Sequence, residues 1–125
     1  HDLPLRDELV CPGATTFERG RSATLALLAQ HPDITAIFAY NDLLALGALR
    51  ACAELGRRVP ADCAVVGFDD IPLADWVSPS LTTVRVDKAA LGGQAVELLL
   101  SMLTAPESAP PAITVETRLM VREST

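Results

Sequence analysis

Two pairs of polar residues are placed where they could hold a ligand. Asn41 and Asp42 follow the apolar run AIFAY, and Asp69 and Asp70 follow VVGF. An apolar run of four or five residues that breaks into adjacent polar side chains reads as a buried strand reaching a surface. A carboxylate only accepts hydrogen bonds, whereas an asparagine amide both donates and accepts, so two converging pairs would suit a polyhydroxylated or amide-bearing small molecule. The same residues have simpler uses: Asn41 or Asp42 could cap the following helix, and the Asp69-Asp70 pair could form a turn. Adjacent acids also invite acid–base catalysis or a Mg²⁺ site with a phosphorylatable aspartate. Neither has its supporting cast. Lys88 is the sole lysine, no suitable acidic pair lies upstream, His1 and His31 map away from the strand ends, and no G-x-S-x-G elbow, Cys/His dyad, H-E-x-x-H helix or P-loop is present. No enzymatic activity, cofactor or metal is expected.

The elements that must position these pairs follow from hydropathy periods. Short apolar runs alternate with helical segments from Ile34 onward, the pattern of β-α-β units, so the expected fold class is α/β with a mostly parallel sheet flanked by helices. Residues 8–10 suggest a short strand and 17–30 a helix, capped by Thr15 or Thr16, with Leu25 and Leu28 facing inward. Strands are expected over 36–40, 64–68 and 81–86, and a helix over 43–55 that Gly56 stops. Pro72 and Pro79 make the intervening stretch DDIPLADWVSPSL a loop with a short helical turn. A helix over 89–103 carries Leu91, Ala95, Leu98, Leu99 and Met102 on one face; Gly92-Gly93 within it implies close packing against another backbone. The Pro-rich stretch 105–112 reads as a connection and 113–121 as a final edge strand.

Composition limits the partners. Ten Lys plus Arg against sixteen Asp plus Glu give a formal charge of -6, the wrong sign for a phosphate-binding surface. No apolar run approaches the eighteen or so residues a transmembrane helix needs. Three cysteines, Cys11, Cys52 and Cys63, lack C-x-x-C spacing and read as reduced thiols. The chain starts HDLPLRDE without methionine, so a longer parent protein is expected. Segment 43–55 has apolar residues at almost every angle, so either a second helix of the domain or a partner subunit must cover it. Trp76 and Val77 could extend that patch.

In order, the ND pair after a strand, ALGALRA, the turn of Gly56, Val59 and Pro60, VVGFDD, the PSLTTV segment, LG in the last helix and the closing LMVREST resemble the carboxyl-terminal part of LacI/GalR transcription regulators. The resemblance implies a two-lobed core like that of periplasmic sugar-binding proteins, a helix-turn-helix headpiece outside this chain that alone reaches operator DNA, a homodimer in the cytoplasm, and a small sugar-like or nucleoside-like effector between the lobes. Residues 1–87 would be most of the carboxyl-terminal lobe, a partial type I periplasmic-binding-protein-like lobe of α/β/α layers, incomplete at its start. Residues 88–104 would be the helix that crosses to the other lobe, and 105–125 the connection and edge strand. Asn41 and Asp69 match effector-binding positions, Thr15 stands where the family often has a stacking aromatic, and Asp70 would organise its loop. Lys88 occupies a position where some members place an aromatic facing the cleft, which makes a charged or phosphorylated effector conceivable. Leu46, Leu49, Trp76 and Val77 match the dimer surface. With no second lobe, helix 89–103 is expected to fold back on this lobe or pack on another copy. A periplasmic sugar-binding component of an ABC transporter is the rival reading.

Overall fold

A computed structural model describes residues 4–104 and 111–125. Its sheet has four strands in the order β1 (Ala36–Phe38), β2 (Ala64–Asp69), β3 (Thr82–Val86) and β4 (Thr117–Met120). The first three are parallel and β4 runs antiparallel along β3, so the mostly parallel sheet and the edge position of the last strand are as expected. Both outer expectations were too long: β1 stops at Phe38 and β4 covers only the second half of 113–121. The expected strand over 8–10 is instead a 3-10 turn, Asp7–Leu9, with nothing buried. Among the described residues no strand pairs with it, and its backbone closes locally through Leu9 N–H to Arg6 O and Val10 N–H to Asp7 O.

Helix α1 (Phe17–Gln30) begins where Thr16 accepts from the Arg19 N–H, and α2 (Asp42–Glu54) begins where Asn41 accepts from the Leu44 N–H. Each cap satisfies a donor that the first helical turn leaves open. The two helices cross with their backbones almost touching. A Cβ at Gly20 would lie 2.2 Å from the Leu44 carbonyl oxygen, and one at Gly47 2.2 Å from that of Phe17. Only residues without a side chain permit this approach. Beyond the crossing, Arg21 forks onto the Glu54 carboxylate at 2.6 and 3.1 Å, with Arg50 joining at 2.6 Å.

The core lies between α2 and the sheet: Ala45, Leu46, Ala48, Cys52, Cys63, Val65, Ala74 and Leu81, with Leu28 from α1. Burying each larger side chain is worth roughly 1.5–3 kcal/mol. Strand β2 alternates, Val65 and Gly67 buried, Ala64, Val66 and Phe68 half-buried, so one face carries the packing. The chain's last residues close the sheet's near end. Ser124 donates through its hydroxyl to Val65 O at 2.6 Å and accepts from the Thr82 N–H at 2.8 Å, bridging β2 and β3.

Helix α4 (Lys88–Thr104) differs. It buries no residue, and Leu91, Leu99, Leu100, Met102 and Leu103 all stand exposed. Residues Ile113 and Val115 run beside Leu91, Ala95 and Leu98 and form one shallow groove, but the expected fold-back onto the lobe does not occur. A Cβ at Gly92 or Gly93 would meet nothing within 4 Å, so the close packing expected of that pair is not made among the described residues. Most of the connection 105–112 lies outside the described residues.

Candidate functional site

The far ends of β1, β2 and β3 bring the two polar pairs together. Register pairs Phe38 with Val66; Asn41 follows β1 by three residues and Asp69 ends β2, so both lie toward the carboxyl ends of neighbouring parallel strands. The four residues then divide their work. Asn41 caps α2, its Oδ1 accepting from the Leu44 N–H at 2.9 Å, while its Nδ2 reaches the Thr15 carbonyl at 3.5 Å. That second contact is at the limit of hydrogen-bond length, so the amide is available to a better acceptor. The capping reading of Asn41 therefore holds without using up the side chain.

Asp42 turns inward and is fully buried. Its Oδ1 accepts from the Thr83 hydroxyl at 2.5 Å and its Oδ2 from the Ile71 N–H at 2.8 Å, which ties the start of α2 to β3 and to the loop after β2. Burial pushes its carboxyl above the ordinary aspartate range, against the two hydrogen bonds, and the nearby charges of Asp69 and Asp70 push the same way. A Cβ at position 67 would lie 2.2 Å from Asp42 Oδ1, so Gly67 is what leaves room for the carboxylate. Asp42 is thus a structural latch.

The second pair ends β2 in a sharp bend. Asp69 has φ 112 and Asp70 φ 50, conformations that side chains rarely adopt and that persist only where the surroundings hold them. Asp70 supplies part of the hold: its carboxylate accepts from Arg85 Nε at 2.5 Å and Arg122 Nη2 at 2.8 Å, with its side chain only 5% exposed. Burial alone would raise this carboxyl, but the hydrogen bonds and charges of Arg122 and Arg85 bring it below the usual range. Arg122 also donates to Leu81 O at 2.8 Å and lies 3.2 Å from Asp75, so the chain's end pins the loop after β2. Sequence reading assigned Asp70 to this loop but did not find its partners. Arg122 is 52 residues away, and no local period signals such a pairing.

Asp69 is left facing outward, its side chain 38% exposed. Lys88, the first residue of α4, donates to the Asp69 carbonyl at 2.9 Å and sits 3.8 Å from its carboxylate. Thr15 is exposed in the loop before α1, with only its carbonyl touching Asn41. Asn41 with Thr15, and Asp69 with Lys88, are therefore placed at one end of the sheet, which offers an acceptor-rich carboxylate and an amide. Such a surface hydrogen-bonds hydroxyls; among the described residues no group of three or more His, Cys, Asp or Glu is arranged to hold a metal ion.

The four residues matched to a dimer surface have different fates. Leu46 is 5% exposed and belongs to the core. Leu49 and Val77 are half-buried against that core, whereas Trp76, on the short helix α3 (Leu73–Trp76), is 77% exposed. Leu43 and Leu73 are exposed apolar residues that sequence reading did not single out. Cys52 and Cys63 are buried, and burial together with Cys63 pushes the Cys52 thiol up to about 11. Among the described residues no helix is long and apolar enough to cross a membrane.

Comparisons with known proteins agree with this architecture. A family model described as a periplasmic binding protein-like domain matches residues 1–125. The HTH-type transcriptional regulator CelR of Thermobifida fusca is 41% identical over 118 residues, covering 94% of this chain and 35% of the regulator. A solved complex of a regulator CelR with cellobiose superimposes with a TM-score of 0.91 at 39% identity, over 98% of this chain and 38% of that one. A LacI family regulator from Arthrobacter sp. FB24, solved with lactose, gives a TM-score of 0.76 at 45% identity, over 88% of this chain and 41% of that one. The chain thus spans about a third of the length of the curated relatives it matches.

Proposed function

Since the chain belongs to the periplasmic-binding-protein-like domain family, and its relatives are LacI-type regulators, we propose that it is the carboxyl-terminal, effector-sensing lobe of such a regulator. The observation that supports this reading is that Asn41 follows β1 and Asp69 ends β2, neighbouring parallel strands at whose carboxyl ends open α/β sheets bind ligands. Asp69 accepts hydrogen bonds from effector hydroxyls, the Asn41 amide donates or accepts beside it, and Thr15 borders the same opening. The effector is a sugar: cellobiose and lactose occupy the solved relatives, and a carboxylate–amide wall is suited to hydroxyl groups.

The rest of the regulator completes the device. The second cleft wall comes from an amino-terminal lobe, on which α4, residues 88–104, lays its bare apolar face. Operator DNA is bound through a helix-turn-helix headpiece, consistent with a chain whose formal charge is -6. A homodimer forms on the exposed apolar group of Trp76, Leu73 and Leu43, with Val77 and Leu49 at its margin and Leu46 supporting it from the core. The protein works in the cytoplasm and performs no catalysis. A transport-component reading is not favoured, because the relatives matched are regulators.

Calorimetry with cellobiose on the two-lobed protein containing this chain tests the site. Replacing Asp69 by Asn removes a charged acceptor worth roughly 1.5–3 kcal/mol, so affinity should fall about tenfold or more. Unchanged affinity in Asp69→Asn would remove Asp69 from the site. The 125-residue chain alone, with one wall of the cleft, should bind cellobiose only weakly.

A further inference from the structure

The bend at the end of β2 raises a question that the effector reading leaves open: what holds Asp69 in place? Its neighbour Asp70 is fixed by Arg85 and Arg122, whose hydrogen bonds and ion pairs do not extend to Asp69. The β2–β3 ladder ends at the Asp69–Arg85 pair, and beyond it the backbone reaches β3 only through the Asp70 N–H, which donates to the Thr83 hydroxyl at 3.3 Å. With φ 112, Asp69 is in a conformation that must be imposed from outside.

Lys88 meets that need with both of its capacities. Its ammonium donates to the Asp69 backbone carbonyl at 2.9 Å and places its charge 3.8 Å from the Asp69 carboxylate. Among the described residues, the other side-chain hydrogen bonds of α4 stay within the helix, from Ser101 to Leu98 and from Thr104 to Leu100 and Ser101. We infer that Lys88 is a positioning residue: it fixes the bend and the direction of the Asp69 carboxylate, and acts on the effector through Asp69 and not by contact. The inference rests on the proposed sugar site. It also gives Lys88 a use other than facing a charged effector, since one of its three N–H donors is engaged by the Asp69 carbonyl.

Two linked measurements test it on the 125-residue chain. In ligand-free NMR spectra, Lys88→Met should shift the Asp69 carbonyl carbon, while Lys88→Arg, which keeps a donor and a charge, should restore most of the parent value. An Asp69 carbonyl shift unaffected by Lys88→Met overturns the inference even if the sugar site stands. In titrations with millimolar cellobiose, Lys88→Met should weaken binding several-fold in the parent background but less than twofold in an Asp69→Asn background. Equal, additive losses in the two backgrounds would mean that Lys88 touches the sugar itself, and would overturn the positioning role. If cellobiose perturbs no resonance of the parent chain, the sugar site falls and the inference falls with it.

Discussion

Helices α2 and α4 make similar demands on their surroundings and receive opposite answers. Both are apolar around most of their circumference: α2 has Asp42, Arg50 and Glu54 as its charges, α4 only Lys88 and Glu97. Both carry glycine within the helix, a choice that costs about 1 kcal/mol relative to alanine unless it permits a contact. In α2 the glycine is used, because Gly47 lets the backbone of α1 come against it, and seven residues of the helix are buried. In α4 the pair Gly92-Gly93 faces open space and nothing is buried. An apolar helix therefore declares that it needs a partner, but its sequence does not say whether that partner is in the same chain.

The contrast can be broken experimentally. The largest effect should come from leucines of similar type in the two helices: Leu46→Ala should cost about 3 kcal/mol in urea unfolding of the chain, as for other buried leucines, while Leu99→Ala should change stability by less than about 0.5 kcal/mol. Comparable losses at both positions would mean that α4 is packed in solution. Next come the glycines. Gly47→Ala forces two backbones apart and should destabilise by about 2 kcal/mol. Gly92→Ala should instead stabilise the chain by up to about 1 kcal/mol, since helix propensity is gained and nothing is met.

The smallest effect concerns the ion pair that fastens the α1–α2 crossing. Hydrogen bonds from Arg21 and then Arg50 lower the Glu54 carboxyl to about 2 from 4.5. Because the folded value lies below the unfolded one, the contribution is present above about pH 4.5 and disappears as pH falls toward 2. Glu54→Gln should therefore flatten that part of the stability profile measured by thermal melts, with the difference from the parent shrinking in high salt. Profiles that stay parallel down to pH 2 would show that the pair contributes nothing to the crossing.

Legibility in the sequence followed the range of the interaction. Helix α1 was read to the residue because its signals are local: a threonine cap at one end and His31-Pro32-Asp33 at the other. The parallel strands, and the places of Asn41 and Asp69 toward their carboxyl ends, were legible because apolar runs that break into polar pairs state where a strand ends. Inward and outward faces of α2 were not, since an almost uniformly apolar helix has no polar stripe to orient it; hence Leu46, matched to a surface, lies in the core. The partners of Asp42 and Asp70 were hidden for another reason. Thr83, Arg85 and Arg122 reach them only after β3 and the chain's end are laid beside β2, and no period in the sequence encodes that meeting.

Effector recognition at the ends of β1 and β2 is tested most directly by residue-resolved NMR of the chain during a cellobiose titration into the millimolar range. Amide shifts concentrated at Thr15, Asn41, Asp69 and their immediate neighbours are the expected result. Shifts confined to α4 or to the Trp76 surface, or none at all, would contradict a sugar site at the strand ends.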